Sequence, residues 1–262
     1  MITLQPARGN RASCTCLMIV GNAERTIRRC MDSTLGSGCF DEYVIVLDTS
    51  IADQTAKILE GYRARHPQIR LLWHEWKTKD YSKPRNLGLS HARMDRAFWI
   101  DADELLMDPA GIYSLLQNPE KKAYHIWQVS PTPYQRLVWT HQLRLFPRLT
   151  GVKWELPIHE QLVFSIRRLG IPEKITPYRV WHLGYIEEAT NTRKHRERAQ
   201  IMRDWLRRHP TKDQARAYIN EQYVASMIYL RNIPQVGKHI KVTPGRETEY
   251  KSSFIHRRHL PS

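Results

Sequence analysis

Apolar positions along the first hundred residues alternate between two periods. CTCLMIV (14–20) is short, β-rich and nearly all apolar, as expected of a strand covered on both faces. Beyond it Ile27, Met31 and Leu35 recur at helical spacing, with Asn22 expected to cap that helix. EYVIVLD (42–48) reads as a second buried strand, and Ala56, Ile58, Leu59 and Tyr62 mark a helix near 53–64. IRLLWH (69–74) reads as a third strand. SKPRNLGLSHARM opens as a turn and continues as a helix, with Pro84 in the first helical turn, where a missing N–H does no harm. RAFWID closes a fourth strand, and a short helix follows near 109–116. This alternation predicts an α/β fold: a mostly parallel sheet, right-handed crossovers and helices on its flanks.

From 123 to 185 the pattern changes to AYHIWQVS, LVWTHQLRLFPR, HEQLVFSI and YRVWHLGY, four strand-like runs with longer links. Antiparallel strands beside the parallel sheet are the expectation. Further on, Ile201, Met202, Trp205 and Leu206 mark a helix that Pro210 stops. Thr211 and Gln214 form a capping box, and Tyr218, Ile219, Tyr223 and Leu230 give a second helix its apolar stripe. One such pair resembles a single tetratricopeptide-type repeat, too little for a solenoid. The expected organisation is a flexible basic arm (1–12), an α/β domain (13–186), a helical hairpin (187–233) and a basic tail (234–262).

Composition narrows the class without naming a function. With 41% hydrophobic and 26% charged residues, the 262-residue chain is an ordinary globular protein. No apolar run approaches the ~20 residues that cross a bilayer, and the opening residues lack the apolar core of a secretory leader. The cytoplasm of the producing cell is therefore the expected location. Cys14 and Cys16 share one strand face, and Cys30 and Cys39 are isolated. The four read as reduced structural thiols rather than a zinc site. The net charge of +15 implies attraction to polyanions: nucleic acid, an anionic membrane surface or phosphorylated substrates.

AFWIDADELL (97–106) carries the sharpest chemistry. An apolar run suited to a buried strand ends in Asp101, Asp103 and Glu104, three carboxylates that repel one another unless something positive joins them. An Asp-x-Asp there suits a hard divalent cation, magnesium or manganese, bridging to a diphosphate. Asp48 and Asp101 both stand at expected strand C-termini, the edge where parallel sheets collect ligands.

Several motifs, taken in order, resemble the family-2 glycosyltransferases of the GT-A fold. LMIVGN is similar to the family's first strand and nucleotide-binding turn, and VIVLDTSIADQT to its strand ending in Asp. YSKPRN resembles the aromatic-Ser-x-Ala-Arg-Asn segment, and WIDADELL the metal-binding Asp-x-Asp-Glu. RLFPR, IHEQL and WHLGY resemble acceptor-side elements of a bacterial and phage subgroup. The likeness spans roughly 13–190.

The resemblance implies a metal-dependent enzyme that uses a nucleotide-diphosphate sugar. Val20, Asn22, Asp48, Asp53, Arg85, Asp101 and Ala102 would bind the nucleotide, with Asp48 accepting a hydrogen bond from the base. Asp101, Asp103 and His182 would hold Mn2+ or Mg2+; a histidine packed between Trp181 and Leu183 is the competing reading of His182. Glu104 would support the metal site from behind. Inverting transfer needs a general base, for which Glu160 is the candidate, with His159 as its orienting neighbour and Asp108 and Glu155 as fallbacks. Ile51-Ala52, Ala23 and Pro84 depart from the family pattern and leave the sugar nucleotide open, a UDP-sugar being the first expectation. A polyanionic acceptor, DNA with hydroxymethylated bases or an anionic lipid-linked saccharide, would explain the charge. The alternative is a non-catalytic, basic nucleic-acid-binding protein on a degenerate transferase fold.

Overall fold

A computed structural model describes residues 11–76, 80–131, 137–184, 188–210 and 213–236. The first half of the chain alternates strand and helix: β1 (Cys14–Val20), α1 (Ile27–Leu35), β2 (Glu42–Asp48), α2 (Thr55–Arg65), β3 (Ile69–His74), α3 (Ser82–His91) and β4 (Arg96–Trp99). There follow β5 (Glu104–Leu106), α4 (Pro109–Gln117), β6 (Ala123–Pro131), β7 (Leu137–Pro147), α5 (Val163–Arg168) and β8 (Glu173–His182). Two long helices, α6 (Glu188–Arg208) and α7 (Gln214–Val236), complete the described chain.

Among the described residues the strands form one sheet in the order β3-β2-β1-β4-β7-β6-β8-β5. β1 pairs in parallel with β2 and β4, and β2 with β3. Because successive strand side chains point to opposite faces, β1 feeds two apolar layers. Cys16, Met18 and Val20 join Ile27, Met31, Ile45, Phe98 and Ile112 on one side. Leu17 joins Val44, Ala97 and Trp99 on the other. A strand buried on both faces needs a continuous apolar run, and CTCLMIV supplies one. All four cysteines are free and buried, and burial pushes each thiol upward, away from thiolate chemistry.

The structure corrects several expectations. β7 is antiparallel to β4 and β6, as anticipated, but β6 and β8 run parallel. HEQLVFSI is not a strand: Glu155 and Gln161 form an isolated bridge, and helix α5 follows. Leu162 and Ile166 are four residues apart, and buried Ser165 fastens that turn to the carbonyl of Lys153 at 2.7 Å. A run this short fits either period, and its contacts decide. Asn22 does not cap α1; its Oδ1 instead accepts the N–H of Ala52 at 2.9 Å. Thr211 lies outside the described residues, and the cap of α7 is Asp213, whose Oδ1 accepts the N–H of Arg216 at 2.8 Å. α7 continues to Val236, past the expected end at 233.

Candidate active site

β1, β2 and β4 are parallel, so their carboxyl ends open on one edge of the sheet, and two laced turns build that edge. Asp48 closes β2: its Oδ2 accepts the Ser50 hydroxyl at 2.6 Å, and its Oδ1 the N–H groups of Ser50 and Trp76, each at 3.3 Å. Asp53 accepts the N–H groups of Thr55 at 3.0 Å and Glu24 at 3.1 Å, while the Ala23 N–H reaches the Thr55 hydroxyl at 2.8 Å. Burial pushes the Asp53 carboxyl up, but these bonds outweigh it and hold the group below the ordinary carboxylate range. Val20 is fully buried, which leaves only its backbone to face a ligand.

The acidic turn solves its electrostatic problem by dispersing its charges. The Glu104 N–H donates to the Asp101 carbonyl at 3.0 Å, and the Asp101 N–H to Glu104 Oε2 at 2.9 Å, closing a tight loop. Its three carboxylates then point toward different partners. Asp101 Oδ1 accepts Arg85 Nη2 at 2.9 Å. Asp103 Oδ2 lies 3.4 Å from His182 Nε2. Glu104 turns inward, where Arg144 meets both its oxygens at 2.6 and 2.7 Å and Gln128 donates at 2.5 Å.

Arg144 was not legible in the sequence. Between Tyr124↔Leu145 and His125↔Leu143 the β6–β7 register skips it, so Arg144 is the extra residue of a β-bulge. Bulges re-aim side chains, and this one sends a guanidinium into the interior. Neither Arg144 nor Glu104 retains exposed surface. Arg144 Cζ lies 4.1 Å from the Trp99 ring centroid and Arg85 Cζ 4.5 Å from it, so two cations share one indole. The Trp99 ring is held by its Nε1–H, which donates to the Leu143 carbonyl at 2.7 Å.

Arg85 also links the two sides of the site. Its Nε donates to Glu160 Oε1 at 2.6 Å while its Nη2 holds Asp101. Pro84 and Arg85 sit in the first turn of α3, and the Tyr81 N–H at its start is fixed by the Pro157 carbonyl at 2.7 Å. Burial works against the Arg85 cation, but Asp101 and Glu160 outweigh it and raise its pKa. Arg85 is therefore the partner that orients Glu160. His159 is not: its ring is buried with Nε2 unpartnered among the described residues, and burial, helped by Arg198 and His195, lowers its pKa to about 3, leaving it neutral. The fallback acids lie in other ion pairs. Asp108 accepts three hydrogen bonds from Arg179, two from its guanidinium and one from its backbone N–H, and Glu155 pairs with Arg168.

The residues at the acidic turn fit a divalent ion that a ligand completes. Ser130 meets His182 Nδ1 at 3.1 Å and so turns Nε2 toward Asp103. Burial lowers the His182 pKa, but Asp103, then Glu104 and Asp101, raise it above its ordinary value. A methyl group at Gly184 would fall 2.7 Å from His182 Nε2 and collide with Asp103 Oδ2, so this space exists only because position 184 lacks a side chain. Asp101 is engaged by Arg85, and among the described residues no three acidic, histidine or cysteine side chains converge unaided. Magnesium-like ions commonly take one or two protein carboxylates and leave their other positions to phosphates and water. Ala102, buried between the two aspartates, offers only backbone to a ligand.

The model of glycosyl transferase family 2 matches residues 15–189. The chain belongs to this family and is a glycosyltransferase. Among solved structures it resembles the mannosyltransferase PcManGT from Pyrobaculum calidifontis in complex with GDP-Man and Mn2+. That likeness has a TM-score of 0.52 at 15% identity, over 87% of this chain and 78% of that one. It also resembles S. aureus TarS 1–349 in complex with UDP-GlcNAc, with a TM-score of 0.51 at 13% identity over 87% and 76% of the two chains. At such identities the likeness shows a shared fold, the GT-A arrangement. No curated protein matches the chain.

Proposed function

We propose that this protein is a metal-dependent, inverting glycosyltransferase moving a sugar from a nucleotide diphosphate, a UDP-sugar in the first instance, to an acceptor hydroxyl. The observation that carries the reading is Arg85 held between Asp101 and Glu160, which joins the donor-side acid to the candidate base in one hydrogen-bonded unit. The relatives whose structures hold UDP-GlcNAc or GDP-Man with Mn2+ support the donor class.

Each residue then has a role. Asp48 accepts from the nucleotide base, and the turns carrying Val20, Asn22 and Asp53 seat the nucleotide. Asp103 and His182 hold Mn2+ or Mg2+, with Asp101 beside them near the ribose. When bound, the ion supplies a counter-charge for the departing diphosphate. Glu104, clamped by Arg144, fixes the shape of the turn through the Asp101 N–H. Glu160 takes the proton of the acceptor hydroxyl as that oxygen attacks the anomeric carbon. Arg85 keeps Oε1 fixed, so the carboxylate meets the acceptor in one orientation.

The test is to incubate the protein with manganese and a panel of nucleotide sugars and to measure released UDP or GDP. Glu160→Gln is expected to keep the thermal stabilisation given by manganese and nucleotide together while turnover falls by about 10²-fold or more. Near-normal turnover in that variant removes Glu160 from the role. A non-catalytic nucleic-acid-binding protein would be indifferent to manganese and UDP. The net charge of +15 favours a polyanionic acceptor, whose binding would weaken steeply with salt.

A further inference from the structure

We infer that the C-terminal helix pair sets the shape of the 156–161 loop, and with it the placement of Glu160, through a hydrogen bond from Gln161 to Tyr218. The catalytic part of this inference rests on the reading of Glu160 given above.

The loop has a backbone it would not choose unaided. Leu156 and His159 have φ of 76° and 51°, the left-handed region that a β-carbon disfavours. Its ends meet in a two-bond bridge: the Glu155 N–H donates to the Gln161 carbonyl at 3.0 Å and the Gln161 N–H to the Glu155 carbonyl at 2.9 Å. Such strain persists only where surrounding structure over-determines it: α3 holds the loop through the Pro157 carbonyl and Glu160, and α6 and α7 cover its apolar side. Leu156 and Ile158 form an apolar cluster with Met202 of α6 and Ile219 of α7, with Phe164, Trp205 and Tyr218 packed against it.

Apolar contact does not fix which residue of a loop faces the site; a directional bond can. Gln161 Nε2 donates to Tyr218 Oη at 2.9 Å and also to the His159 carbonyl at 3.1 Å. One amide thus connects α7 to the peptide immediately before Glu160. His159 does not share this task, since its buried Nε2 has no partner among the described residues. Tyr218 is accordingly a positioning residue, acting on Glu160 through Gln161.

Tyr218→Phe in the full chain removes the hydroxyl and keeps the ring, which meets Phe164 edge-on with centroids 6.3 Å apart. Hydrogen exchange at the Glu155 and Gln161 amides is expected to accelerate about tenfold, with the β2 amides unchanged. The kcat falls about tenfold, and the KM for the donor stays within twofold. Unchanged exchange in the loop, or equal acceleration across the sheet, overturns the inference. So does a loosened loop with full kcat in a protein whose Glu160→Gln variant is inactive. If Glu160→Gln retains turnover while Tyr218→Phe loosens the loop, the base assignment has failed and the control of the loop by the helices stands.

Discussion

Arg144→Met tests whether the acidic turn depends on a buried counter-charge. The guanidinium and the Glu104 carboxylate are both fully buried, joined by bonds of 2.6 and 2.7 Å. Methionine fills much of the same volume but leaves the carboxylate with Gln128 and the Asp101 N–H as its remaining donors. Breaking a buried pair from one side typically costs 3–5 kcal/mol, because an uncompensated charge stays behind. Loss of the contact with Trp99 adds at most about 1–2 kcal/mol. Arg144 Nε has no partner among the described residues, and its removal returns a little of that. A net loss of about 4 kcal/mol is expected, a thousandfold change in the folding equilibrium. Urea unfolding followed by tryptophan fluorescence measures it. The control is Arg144→Met combined with Glu104→Gln, which removes the orphaned charge while retaining a side-chain oxygen for the Asp101 N–H. The double variant should be more stable than Arg144→Met alone by about 2 kcal/mol. A single-variant loss below about 1 kcal/mol, or a double variant no better than the single, refutes the argument.

Two further predictions concern the rest of the site. Gly184→Ala places a methyl group against Asp103 and His182 and should abolish stabilisation by manganese with nucleotide while leaving the unfolding midpoint of the free protein within a few degrees; an undiminished metal-dependent shift counts against that cradle. His159 supplies a pH dependence. Its folded pKa of about 3 lies below the ordinary 6.5, so the unfolded chain binds the proton first, and stability is lost as pH falls through 6.5 toward 3. From pH 7 to pH 5 this amounts to about 2 kcal/mol. His159→Asn, tolerant of the left-handed backbone there, should flatten that part of the urea-midpoint profile. An unchanged slope means the imidazole is hydrated.

Local signals and long-range ones were legible to very different degrees. The central parallel strands β1 and β2 announce themselves within seven residues, because burial on both faces demands an unbroken apolar run, as CTCLMIV and EYVIVLD show. The acids at their ends follow from the same logic. The partners of those acids do not: Arg144 lies 40 positions from Glu104, and Glu160 lies 75 from Arg85. Arg144 is harder still to read, since RLFPR looks like an ordinary alternating strand and only a skipped register turns its first residue inward. HEQLVFSI was misread because its apolar residues fit two periods and Ser165, the residue that decides, works through contacts with Lys153. Tyr218 looked like one more position in an apolar stripe; that its hydroxyl reaches Gln161 depends on how α7 lies against the loop.

Charge balance ties these observations to the proposed metal. Asp101, Asp103, Glu104 and Glu160 gather in one region, where Arg85 and Arg144 meet three of them. A divalent cation held by Asp103 and a neutral His182 would add positive charge to this acidic cluster. The arginines are not spread evenly. Arg144 meets a single carboxylate, that of Glu104, and also donates to Gln142 Oε1 and the Trp99 carbonyl, whereas Arg85 is divided between Asp101 and Glu160. An ion drawing Asp101 toward Asp103 would weaken the hold of Arg85 on that side and leave the guanidinium to Glu160. Donor binding and the setting of the base would then be coupled through one side chain. Arg85→Lys, which keeps the charge but loses the fork that reaches both carboxylates, should separate them, retaining most nucleotide affinity while kcat falls.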